Sequence, residues 1–178
     1  MEAIRVAVQR GDVVESRHRV HAVAIRDGET VAEAGDPGLV TFFRSSAKPL
    51  QALPLVRARD DLDEAEIAIA CSSHQGEPGQ VAAVLSLLAR ARASETDLEC
   101  GLEEGRPHES IFHNCSGKHA GMLALCRARG WLPTGYRLPA HPVQREALAE
   151  VAGAAGVEVG EVPLAVDGCG VVTFALPL

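Results

Sequence analysis

Aromatic side chains are scarce: four Phe, one Trp and one Tyr, 3% of 178 residues. Platforms for stacking bases or sugar rings are therefore thin, and Ala, Val, Leu and Gly must do most of the packing. Basic excess is absent too. Lys and Arg number 17 against 24 Asp and Glu, a net charge of −7. That argues against a nucleic-acid partner, which needs a basic face to neutralise phosphates. No apolar run approaches the roughly 20 residues of a membrane-spanning helix, so no membrane partner is expected. The start, Met1-Glu2-Ala3-Ile4-Arg5, lacks the basic and apolar segments of a secretory leader, and the expected compartment is the cytoplasm. The five cysteines (Cys71, Cys100, Cys115, Cys126, Cys169) are odd in number and form no compact framework. In a reducing compartment they read as buried thiols, ligands or reactive groups. No internal repeat or low-complexity tract occurs.

Hydrophobic residues make up 47% of the chain, enough for a real core in one domain, or one domain with an appendage. Residues 5–10 and 19–26 alternate as strands do, and Asp27-Gly28 marks a hairpin turn into a short strand near 30–34. A helix is predicted from Ser45 or Ser46 to about Arg59, with Pro49 in its first turn and Pro54 as a possible kink. Residues 66–71 are apolar, and strand and helix both remain open. Residues 72–78 form a polar loop. Residues 78–93 carry Val81, Val84, Leu85 and Leu88 at helical spacing. Residues 94–110 are charged and turn-rich. Further helices are expected from near Ser116 to Arg129, stopped by Gly130, and over 142–155, stopped by Gly156. The chain closes on apolar runs over 162–166 and 170–176. With no polar tail after them, it is expected to have been cut within a structured region.

Two runs put a nucleophile three residues before a lysine: Arg44-Ser45-Ser46-Ala47-Lys48-Pro49 and Asn114-Cys115-Ser116-Gly117-Lys118-His119. On a helix such positions share a face, and a lysine beside a hydroxyl or thiol can serve as its base. Ser45 at a helix start would also have free N–H groups nearby to favour an oxyanion. Read alone, Ser45 to Lys48 is an ordinary N-cap followed by a surface lysine, since Ser-x-x-Lys recurs by chance. Cys71-Ser72-Ser73-His74 could supply a second hydroxyl and a proton carrier, or merely cap the next helix. Cys115 at a helix start beside a cation should have a depressed pKa, suited to a nucleophile or a metal ligand, against the plainer reading of a buried thiol. Asp167-Gly168-Cys169-Gly170 sets another thiol in a tight turn. The remaining histidines (His18, His21, His108, His113, His141) show no ligand spacing and read as ordinary.

Taken in order, these phrases resemble the Rhizobium-type L-asparaginases, the asparaginase II family. Gln9-Arg10-Gly11 with Glu15 to His18, Arg44 to Ala52, Cys71 to His74, Asn114 to Leu123 and Asp167 to Gly170 all match. The resemblance implies an α/β (α+β) fold similar to serine β-lactamases and penicillin-binding proteins. It implies hydrolysis of L-asparagine to L-aspartate and ammonia. By motif, Ser45 matches the nucleophile, Lys48 its paired lysine and Ser73 a second active-site serine. Cys115, Lys118 and Cys169 match a zinc (Zn2+) site in which a neutral lysine amine is a ligand, so Lys118 would need a strongly lowered pKa. Arg44, His74, His119 and Asp167 are expected near substrate, and a homodimer is expected.

The family continues beyond this chain's end and supplies another lysine there, paired with the second serine. Residues 1–178 are therefore expected to be the N-terminal portion of such a domain, weak or inactive alone. A zinc-binding module without catalysis is the first alternative. A penicillin-recognising serine acyl enzyme is the second, though no Ser-Asp-Asn or Lys-Thr-Gly phrase occurs.

Overall fold

A computed structural model describes residues 1–177. The fold is mixed α/β, and the chain divides into two units: Met1–Phe42 with the strand end from Ala175, and Phe43–Phe174.

The first unit is built from antiparallel hairpins. Strand β1 (Ile4–Arg10) pairs with β2 (Val13–Val20), and β3 (Ala22–Arg26) with β4 (Glu29–Ala34). The alternation over 19–26 is thus two strands, broken at His21. His21 Nδ1 accepts the Asp36 N–H at 2.9 Å, so its ring is spent on the turn that follows β4. Alternation cannot reveal this break, because His21 keeps the period. The short β5 (Thr41–Phe42) pairs with Leu176 and Ala175.

The second unit carries five helices: α1 (Lys48–Ala58), α2 (Glu64–Ala70), α3 (Pro78–Ala91), α4 (Ser116–Arg129) and α5 (Pro142–Ala155). Strand β6 (Leu164–Val166) pairs antiparallel with residues 172–174 of β7 (Val172–Leu176). Residues 66–71, open from sequence, are mainly helical. Asp63 Oδ1 accepts the Glu66 N–H at 2.8 Å, and Glu66 Oε2 accepts the Asp63 N–H at 2.9 Å. That reciprocal cap satisfies two donors at the start of α2. Pro54 lies inside α1 without ending it. Gly130 and Gly156 close α4 and α5 at φ +69° and +67°, as predicted.

Helix α4 is the axis of this unit. Its residues from Ser116 to Cys126 are all buried, with α1, α2 and α3 against it. Val84 and Leu87 of α3 are wholly buried there, each contributing about 1.5–3 kcal/mol. Gly117 sets the closest approach: a Cβ there would lie 2.3 Å from Ile69 O. One turn on, a Cβ on Gly121 would meet Ala70 Cβ at 3.2 Å. The two glycines let α2 lie against α4, which carries the loop after α2 to the start of α4. Among the described residues no helix is long and apolar enough to cross a membrane.

Candidate active site

Ser45 lies in a 3-10 turn, Arg44–Ala47, that leads into α1. The turn is tied to β7, where the Phe43 N–H donates to Phe174 O at 2.9 Å. Arg44 enters it at φ +50°, a left-handed conformation that costs a non-glycine residue about 1 kcal/mol. Lys48, in the first turn of α1, is 1% exposed. Its Nζ donates to Ser72 O and to Ser73 Oγ, both at 2.9 Å. Ser73 Oγ in turn donates to Ser45 Oγ at 3.2 Å. The three side chains form one line, with Ser73 between the serine and lysine that sequence spacing paired directly. Burial lowers the Lys48 pKa and the nearby Lys118 ammonium adds to this, against Cys115 and Cys169.

Behind this line lies a charged, buried cluster. A hydrogen bond from Cys169 is the largest cause that holds the Cys115 thiol well below its usual range; His113, Lys118 and Lys48 assist against burial. The same bond and burial push Cys169 up. Lys118 Nζ donates to Asp167 Oδ2 at 3.0 Å. Burial opposes its charge, but Cys169, Asp167 and Cys115 together raise its pKa. These anionic neighbours favour the charged form of Lys118 when no metal is bound, and the neutral amine expected of it belongs to the zinc-bound site. Asp167 Oδ1 accepts the N–H groups of Cys169 (3.1 Å) and Val171 (3.0 Å) and the Cys169 thiol (3.0 Å). Among the described residues no three His, Cys, Asp or Glu side chains form a metal-holding group, so a metal here needs the lysine. The donor chemistry of two contiguous thiols with an amine nitrogen does fit zinc, whose arrival displaces ligand protons.

The two histidines expected near substrate are both buried, each with an internal hydrogen bond. His74 is 1% exposed. Its Nδ1 accepts the Gly76 N–H at 3.1 Å, so Nε2 carries the proton and donates to Ser116 Oγ at 2.8 Å. It staples the Ser73 loop to the start of α4. His119 is wholly buried, its Nδ1 2.7 Å from Tyr136 Oη. That hydroxyl already accepts the Glu99 N–H at 2.8 Å, which leaves its own proton for His119. Burial and the Lys118 charge hold His119 neutral, and its Nε2 has no partner among the described residues.

A cleft of about 290 Å³ opens at Ser45, lined by Arg44, Leu102, Glu103, Glu104, His113, Asn114, Cys115, Asp167, Gly168 and Cys169. The family model described as L-asparaginase II matches residues 6–178. This chain belongs to the L-asparaginase II family. A search of curated proteins found no match.

In this L-asparaginase II chain, residues 102–104 of the charged segment 94–110 wall the cleft. Glu103 accepts the Asn114 N–H at 2.7 Å and Asn114 Nδ2 at 3.0 Å. Arg106 lies 3.6 Å from Glu103 and donates to Gln75 Oε1 at 2.8 Å. The segment thus ties the Cys115 loop to the Ser73 loop. His113 is not an ordinary histidine either, since its Nδ1 accepts the Cys115 N–H at 3.0 Å. No local pattern marks these residues: their partners lie 2–31 positions away and none repeats with helix or strand period.

Proposed function

We propose that the chain is an amidohydrolase that converts L-asparagine to L-aspartate and ammonia. The observation that carries this reading is the line Ser45 Oγ–Ser73 Oγ–Lys48 Nζ at the mouth of the cleft. Family membership supports the substrate. With Lys48 neutral the two bonds reverse, Ser45 donating to Ser73 and Ser73 to the Lys48 amine, so that as Ser45 Oγ attacks the side-chain carbonyl carbon its proton passes to Ser73 and the Ser73 proton to Lys48. Burial of Lys48 favours that neutral state, and its remaining N–H bonds keep Ser72 O satisfied. The carbon–nitrogen bond then breaks, and the proton returns along the line to the departing ammonia. Water hydrolyses the Ser45 ester and releases aspartate.

Cys115, Lys118 and Cys169 would hold a zinc ion, with Asp167 beside them. Bound there, zinc supplies a Lewis acid next to the cleft. Without it, the same residues keep Asp167 and the Cys115 loop in place. A Ser-x-x-Lys turn tied to an antiparallel strand also supports a fold similar to serine β-lactamases and penicillin-binding proteins.

Ammonia release from L-asparagine by the protein and by Ser45→Ala tests the reading. Loss of at least ~10³-fold is expected for a covalent nucleophile; equal rates would remove Ser45 from the reaction. Covalent labelling of Ser45 by a β-lactam, with no ammonia release, would favour an acyl enzyme of the penicillin-recognising kind. Stoichiometric zinc with neither activity would favour a metal-binding module.

A further inference from the structure

Three carboxylates line the cleft: Glu103, Glu104 and Asp167. Two are fully committed. Both Glu103 oxygens accept from Asn114. Asp167 gives one oxygen to Lys118 and the other to the Cys169–Val171 loop. Glu104 makes no hydrogen bond or ion pair among the described residues. One guanidinium also lines the cleft, that of Arg44, and it too lacks an anionic partner among them. Glu104 is exposed, but the backbone that carries it is held on both sides. Its two near neighbours are anchored, Glu103 to Asn114 and Arg106 to both the carbonyl and the side chain of Gln75. Gly105, at φ +78°, makes the turn between them. The backbone is therefore fixed where it presents the one uncommitted acid to the cleft, which is how a recognition group is preorganised.

We propose that Glu104 recognises the α-ammonium of an amino-acid substrate, with Arg44 taking the α-carboxylate across the cleft. This rests on the amidohydrolase reading and sharpens it to α-amino acid amides over simple acid amides. Two opposite unpaired charges in one cleft complement a zwitterion better than a ligand of single charge, which leaves one of them unanswered. A charge-assisted bond of this kind is worth about 1.5–3 kcal/mol, or roughly 10- to 150-fold in affinity.

The test compares L-asparagine with succinamate, which is the same molecule without the α-ammonium. Both kcat/KM and, in a Ser45→Ala background, calorimetric Kd are measured for the protein and for Glu104→Gln. The preference for L-asparagine over succinamate is expected to fall by about 10- to 150-fold in Glu104→Gln, chiefly through KM. Glu104→Asp should recover part of it, and thermal melting should not move, since Glu104 supports no other residue. An equal effect on both ligands, or none, would overturn the proposal while leaving the amidohydrolase reading intact. Failure of the protein either to bind or to hydrolyse L-asparagine would overturn both.

Discussion

Lys48 Nζ and Ser73 Oγ, 25 residues apart in the chain, lie 2.9 Å apart, and Ser73 stands between Lys48 and Ser45. The lysine thus reaches the nucleophile only through a second hydroxyl. Ser73→Ala should lower kcat for ammonia release by about 10²- to 10⁴-fold, the usual worth of a positioned proton carrier, with KM little changed. A rate close to that of the unmodified protein would mean that Lys48 meets Ser45 directly.

Zinc content can be read without any activity. Metal analysis of the purified protein should find about one zinc per chain, lost in Cys169→Ser and in Cys115→Ser. Chelation should lower the melting temperature of the protein but not of either variant, because a ligand stabilises only a fold that binds it. Zinc-free protein with the same melting temperature before and after zinc addition would remove the metal from the site.

Gly117 is the residue on which the packing of α4 against α2 depends. Gly117→Ala places a methyl 2.3 Å from a backbone oxygen of Ile69 and 2.8 Å from its Cγ1. Overpacking of this kind costs about 1–3 kcal/mol, a fall of roughly 2–12 °C in melting temperature for a chain this long. Adding Ile69→Ala removes the side-chain clash and leaves the carbonyl clash, so it should not restore stability. Recovery in the double variant would show that the backbone can yield.

Glu66 predicts a loss of stability in acid. The residue is wholly buried. Burial raises its pKa, but the Arg90 guanidinium (3.0 Å), the Ser86 hydroxyl (2.5 Å) and the Asp63 N–H outweigh it, and the net shift is downward. A carboxyl with a lower pKa folded than unfolded gives stability above its unfolded pKa, about 4.3. That stability drains as pH falls through the lower folded value. Denaturant melts of Glu66→Gln between pH 7 and 3 should start about 1–3 kcal/mol lower and lose less on acidification. Parallel curves for the two proteins would remove Glu66 from the acid response.

Arg44 separates strain from function. Its left-handed backbone suits glycine, so Arg44→Gly relieves about 1 kcal/mol while freeing the unfolded chain by a similar amount. The melting temperature should stay within a few degrees, and L-aspartate affinity should fall about tenfold or more, as expected when a charged hydrogen bond is lost. A large loss of stability would mean that the guanidinium holds the turn itself.

Local chemistry was legible in the chain. Gly130 and Gly156 end α4 and α5 because only a residue tolerant of positive φ closes such helices cheaply. The Asp63–Glu66 cap was equally present, and it decides α2 for helix within four residues. The order of five short phrases named the family, and four of them are turns or helix starts whose residue types are set by their own backbone. Tertiary structure alone decided who meets whom. It set Ser73 between Ser45 and Lys48, gave His74 and His119 internal hydrogen bonds, and drew Glu103 and Glu104 out of a featureless charged stretch to wall the cleft, with Arg106 tying that stretch to Gln75. Those pairings join positions 11 to 42 residues apart. Backbone periodicity extends over a few residues, so contacts at that range are fixed only when the helices pack.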